Sequence, residues 1–146
     1  AYMRRSEDDI RSLAKDGASV RLCKGIYIEP EDIAFRGREE VQDNYKRLLR
    51  LLFDQNMYVG IATHDDVLLD FAQEEIAKRG LSNDRYEFQM LLGVREQKRD
   101  ALVKAGHKMR IYVPFGHDWY GYSVRRLKEN PEVAGHIFKA MFTGGR

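Results

Sequence analysis

The 146-residue sequence contains one cysteine, Cys23, so no internal disulfide can form, and a reducing compartment fits it. It has almost no charge excess. With 25 basic and 23 acidic residues the net charge is +2, which gives no support to a nucleic-acid or polyanion partner. No apolar run approaches the length of a membrane span, and no signal peptide is recognisable. No strand-like run is followed by a Gly-rich dinucleotide fingerprint or a Walker loop, which argues against the α/β folds built on them. The histidines show no ligand spacing and Cys23 has no cysteine partner, so no metal site is expected. Low-complexity segments, Pro/Ser-rich linkers and clear repeats are also missing, so a single domain is expected. The composition, 43% hydrophobic and 33% charged, is that of a folded globular chain.

What is there alternates. Ser6 reads as a cap, Glu7, Asp8 and Asp9 as an acidic first turn, and Ile10, Leu13 and Ala14 as a buried stripe ending at Gly17. A β-rich run over 18–23 (ASVRLC) leads into a loop over 26–40. A helix over 41–56 then places Val41, Tyr45, Leu48, Leu49, Leu52 and Phe53 at helical spacing. A strand over 57–62 is followed at once by Thr63, His64 and Asp65. The next helix, over 66–79, points Val67, Leu68, Phe71, Ile76 and Ala77 inward and ends at Gly80. A strand over 86–92 closes on Gly93, a helix over 95–105 ends at Gly106, and a strand covers 108–113. Pro114 and Gly116 stop that strand. Asp118 caps a helix to about Asn130, and a last apolar helix covers about 132–142.

Strict alternation of strand and helix implies a parallel sheet. The chain supplies four βα units, whereas a (β/α)8 barrel needs eight and about 250 residues. The expected fold is therefore α/β of the TIM-barrel type, with this chain providing the last four units.

In such barrels function sits at the C-terminal ends of the strands. The first end carries Arg21, Lys24, Gly25 and Tyr27, and the second Thr63, His64 and Asp65. The third carries Glu87, Gln89 and Gly93, and the fourth Tyr112, Gly116, His117 and Asp118. Arg21 and Lys24 suit an anionic cofactor, and Gly25 would let it approach the backbone. The plainer alternative is a solvated Lys24 and an Arg21 paired elsewhere in the barrel. His64 can be read as a ligand, a base or a packing residue. Cys23 is best read as a small buried strand residue, and Met90, Leu91 and Leu92 as core, with Leu91 near the strand end. On the helix after Asp118, Tyr122, Arg125, Arg126 and Glu129 share one face, apart from the apolar stripe of Tyr120, Val124 and Leu127. Paired guanidinium forks suit a carboxylate, and Glu129 stands one turn away to hold them. The plainer reading of Arg125 and Arg126 is solvated surface charge.

These residues carry a resemblance. RLCKGIY resembles the RLVKGAY strand of the proline dehydrogenases, IATHD their ATHN, YEFQMLLG their FEFQMLYG, and YGYSVRRLKENP their terminal helix signature. YMRRSEDDI is similar to the segment after their fourth barrel strand. Order and spacing agree along the whole chain, which covers the C-terminal half of the family's barrel.

The resemblance implies an FAD enzyme that oxidises L-proline to Δ1-pyrroline-5-carboxylate and passes electrons to a quinone of a membrane. Its location would be cytoplasmic and peripheral to a membrane, or mitochondrial in a eukaryote. By motif, Arg125 and Arg126 would hold the proline carboxylate, and Tyr112, Tyr122 and Leu91 would enclose its ring. Arg21 would act beside the reactive edge of the flavin. Cys23 (mainly through its backbone), Lys24 and Gly25 would line the flavin and its phosphates. Thr63 and His64 would meet the phosphate and adenosine side. Tyr27 would help close the active-site loop, and Glu129 would orient the arginine pair.

Two positions depart from the family. Asp65 stands where Asn is usual and would put negative charge near the phosphates, and Cys23 replaces an aliphatic residue. The family's substrate lysine, the acid paired with one active-site arginine and a glutamine just before Ala1 belong to strands outside this stretch. The competing reading is a non-catalytic half-barrel that needs a missing half or a second copy of itself. A sugar-phosphate barrel enzyme is a third reading, poorly suited by the tyrosine-rich arginine helix.

Overall fold

A computed structural model describes residues 1–25, 29–113, 115–117, 121 and 124. Tyr27, Tyr122, Arg125, Arg126, Glu129 and the expected helices over 118–130 and 132–142 therefore lie outside the described residues, apart from helical Gly121 and Val124. The elements are α1 (Ser6–Ala14), β1 (Val20–Cys23), α2 (Arg38–Asp54), β2 (Val59–Ala62), α3 (Asp66–Arg79), β3 (Tyr86–Leu91), α4 (Glu96–Lys104) and β4 (Met109–Tyr112). This is the expected alternation, and it is that of a partial (β/α) barrel. The chain divides into two compact units, 1–89 and 90–146.

In the first unit β1, β2 and β3 pair in parallel. Arg21, Gly60 and Glu87 form one row, Leu22, Ile61 and Phe88 the next, and Cys23, Ala62 and Gln89 the third. Side chains alternate between faces, so the middle row points opposite to its neighbours. Leu22, Val59, Ile61, Tyr86 and Phe88 are buried. The central helix of this unit is α2, which packs on α1, α3, β1 and β2. It buries Val41, Tyr45, Leu48, Leu49, Leu52 and Phe53 as its spacing predicts, each worth about 1.5–3 kcal/mol. Tyr45 adds a polar tie: its hydroxyl donates to the Leu22 carbonyl at 3.2 Å, and burial pushes its pKa up.

Several local expectations are corrected. Ser6 is the first helical residue of α1 and caps nothing; Arg5 is the N-cap. Leu13 is exposed, so only Ile10 of the expected stripe is buried. Helix α2 begins three residues before Val41, where the Gly37 N–H donates to Glu40 Oε2 at 3.0 Å. In α3 the buried stripe is Leu68, Leu69, Ala72, Glu75 and Ile76; Val67 and Ala77 face outward. Phe71 lies under the Arg50 guanidinium instead, 4.8 Å from its ring centre. Cys23 is exposed. It shares a face with Arg21, opposite buried Leu22, as strand alternation requires once Leu22 is core.

In the second unit, the Leu92 N–H just past β3 donates to the Tyr112 carbonyl at the end of β4, at 3.0 Å. Helix α4 packs on β4 and buries Leu102. Met90 is buried, as expected of core, but Leu92 is exposed. No described helix is long and apolar enough to cross a membrane.

Candidate functional site

Strand β1 delivers its chemistry in sequence. Alternation puts Arg21 and Cys23 on the face away from Leu22, and Lys24 follows where pairing stops. Thr63 follows β2 as Lys24 follows β1, since Cys23 is opposite Ala62 where the pairing ends. Asp65 then joins the two strand ends. Lys24 Nζ donates to Asp65 Oδ2 at 2.9 Å, and Gln42 Nε2 of α2 donates to the same oxygen at 2.9 Å. The other oxygen, Oδ1, accepts the Val67 N–H at 3.1 Å and so caps α3. The Asp65 N–H donates to Thr63 Oγ1 at 3.2 Å, which fixes the turn.

The Asp65 side chain is 7% exposed and that of Lys24 30%. Burial pushes the Asp65 carboxyl up, but the hydrogen bonds from Gln42 and Lys24 and the nearby ammonium outweigh it and hold the group below the usual carboxylate value.

Helix α3 could offer an anion its N-terminal N–H groups. Here those of Val67, Leu68 and Leu69 already donate to Asp65, the last two to its carbonyl. Anion recognition at this end falls to side chains. Lys24 has three N–H bonds and is partly exposed; Arg21 is exposed on the neighbouring face. That donor set fits a phosphate-bearing cofactor.

Gly25 has φ +98°, and a Cβ there would meet Tyr2 Cδ2 at 2.6 Å. The space that the glycine leaves is thus filled by a ring of this chain. Thr63 is buried and spends its hydroxyl on the turn, while His64 is half-buried. On the face shared with Arg21, Gln89 Nε2 donates to Oε1 of buried Glu87 at 2.8 Å.

In the second unit, Leu91 ends β3 and Tyr112 ends β4. The Leu92-to-Tyr112 bond places these strand ends side by side. Among the described residues, no three His, Cys, Asp or Glu side chains gather as metal ligands.

Sequence reading missed Gln42 and Tyr2, and it did not pair Asp65 with Lys24. Gln42 carried a signal, being a polar residue beside Val41 and on the side of the helix that also carries Tyr45. Tyr2 carried none.

Comparison with known proteins gives a consistent result. The model of the family described as Proline dehydrogenase matches residues 1–138. Proline dehydrogenase 2 of Bacillus subtilis (strain 168) is 45% identical over 141 residues, covering 97% of this chain and 46% of that protein. Proline dehydrogenase of Deinococcus radiodurans is 35% identical over 144 residues, covering 99% and 46%. Among solved structures, proline utilization A from Bdellovibrio bacteriovorus, inactivated by N-propargylglycine, superposes with a TM-score of 0.79 at 26% identity. That match covers 99% of this chain and 17% of the other. The chain spans about half the length of the curated relatives it matches.

Proposed function

Because this chain belongs to the proline dehydrogenase family, we propose that the protein it represents oxidises L-proline to Δ1-pyrroline-5-carboxylate with FAD. The observation that carries the reading is a basic C-terminal end of β1 inside a chain of that family, with Lys24 held at 2.9 Å by a nearly buried carboxylate. When bound, FAD would supply the hydride acceptor for oxidation at the carbon next to the proline ring nitrogen, and Lys24 and Arg21 would help to hold it.

This chain's residues supply binding and orientation. Lys24 and Arg21 give charged donors for the anionic cofactor, with Arg21 toward its reactive edge. Arg125 and Arg126 hold the proline carboxylate as paired forks, Glu129 orients them, and Leu91, Tyr112 and Tyr122 enclose the ring and exclude water. Tyr27 helps to close the active-site loop. Cys23 and Gly25 line the flavin through the backbone, and Thr63 and His64 face its phosphate and adenosine side. Electrons leave to a membrane quinone through a peripheral contact.

The 46% coverage of the relatives supports a second statement. The 146 residues alone neither retain FAD nor turn over proline, because strand ends from one arc cannot enclose the ligands.

The test is purification of the complete enzyme containing this segment, with a visible spectrum and proline-dependent reduction of a quinone analogue. A flavin spectrum bleached by proline is expected; a colourless protein inert to proline would sink the reading. The isolated segment, treated identically, is expected to be colourless.

A further inference from the structure

We infer that Asp65 is a positioning residue for the cofactor, acting through Lys24: its carboxylate fixes where the ammonium points before FAD arrives. The inference rests on the placement of Lys24 at the cofactor proposed above.

The carboxylate meets donors on both of its oxygens. Three donors meet it: Lys24 Nζ and Gln42 Nε2 on Oδ2, and the Val67 N–H on Oδ1. They come from the end of β1, from α2 and from the first turn of α3, so one side chain joins three elements. Asparagine, the usual residue here in the family, cannot accept from all three donors at once. Its amide has one oxygen and one NH2. With the oxygen toward Val67, the NH2 opposes Lys24, whose ammonium can only donate; with the oxygen toward Lys24, the NH2 opposes the Val67 N–H. Only a group that accepts on both sides serves all three donors.

Two effects of Asp65 on an anionic cofactor compete. As a charge it repels phosphate, and removing it would tighten FAD. As an anchor it holds a long, flexible ammonium in one direction, and removing it would loosen FAD. Burial decides between them. A pair with one partner at 7% exposure, and with Gln42 also buried, is a fixed contact rather than a fluctuating surface one. At 2.9 Å the two charges largely offset each other at a distance, so what the pair offers a phosphate is the direction of the remaining Lys24 N–H donors, and that direction is what Asp65 fixes. The anchoring effect therefore wins.

The complete enzyme, stripped of FAD and retitrated by flavin fluorescence, tests this without using turnover. Asp65→Asn is expected to weaken FAD about tenfold, and Lys24→Ala by a similar factor. The double variant should bind no worse than Lys24→Ala alone, because Asp65 acts only through that ammonium. A purely structural role would give the same loss with and without Lys24. Asp65→Ser keeps a helix cap without the charge, so it serves if Asp65→Asn does not fold.

Tighter or unchanged FAD binding in Asp65→Asn, with Lys24→Ala weakened, overturns the positioning role and leaves Lys24 at the cofactor. Additive losses in the double variant also overturn it. Unchanged FAD binding in Lys24→Ala removes Lys24 from the cofactor, and the inference falls with that placement.

Discussion

Gln89 lies across Gly60 of the neighbouring strand: its Cδ stands 2.9 Å from where a Cβ on Gly60 would be, with Nε2 nearer still. The register explains the arrangement. Gly60 pairs with Glu87, and Gln89 leans back over it to donate to Glu87 Oε1 at 2.8 Å. The glycine makes room for a polar contact on the face that β1 lines with Arg21 and Cys23.

Gly60→Ala should therefore displace the Gln89 amide and deprive a carboxylate in a residue 2% exposed of one donor. The expected loss is about 1–3 kcal/mol, read by urea unfolding of the complete protein. Gln89→Ala in the same background removes the clash, so the two losses should not add. Additive losses would mean the amide is elsewhere.

Asp65 gives a pH dependence of definite sign. Its folded pKa lies below the ordinary value of 3.8, so the unfolded chain binds the proton more readily. Its contribution is complete above that value and is lost as pH falls through the lower folded one. The stability gap between wild type and Asp65→Asn should be widest near neutral pH and shrink below about pH 4. A gap that stays constant down to pH 2 in chemical unfolding would contradict the Lys24 and Gln42 contacts.

Gly25→Ala faces two obstacles at once: φ +98° and the Tyr2 ring at 2.6 Å. A loss of about 2–4 kcal/mol is expected in thermal or urea unfolding. Tyr2→Ala in the same chain should recover only part of it, because the backbone strain remains. Full recovery would show that the ring alone requires the glycine.

Arg125→Met or Arg126→Met in the complete enzyme should raise KM for proline roughly ten- to a hundredfold, the worth of one charge-assisted bond of about 1.5–3 kcal/mol. Lysine at either position should also be poor, since an ammonium does not form the planar fork. Steady-state kinetics decide, and an unchanged KM in both methionine variants would remove the carboxylate from these two arginines.

Much of this protein is local, and local features are legible in a sequence. The limits of α3 at Asp66 and Arg79 follow from two neighbours alone: Asp65 supplies a capping carboxylate and Gly80 adopts φ +60°. Alternation of short apolar runs with helical stripes likewise determined the order of the described elements and the parallel pairing of β1, β2 and β3. Both signals act over a few residues, where backbone hydrogen bonding and side-chain period leave few choices.

Tertiary structure decided what periodicity cannot reach. Spacing showed that Leu22 and Cys23 point opposite ways, but only the packing of α2 on the sheet made Leu22 the buried one and left Cys23 exposed. The stripe of α3 turned to bury Leu69 and Glu75, because Glu75 accepts from Arg50 of α2 and Arg79. Asp65 read by sequence is a charge that repels phosphates. In the fold it is the acceptor for Lys24, 41 residues away, and for Gln42, 23 residues away. Sequence sets which groups can ionise and donate; strand register and helix packing set which of them meet, and at 2.9 Å in a nearly buried site that meeting determines the chemistry.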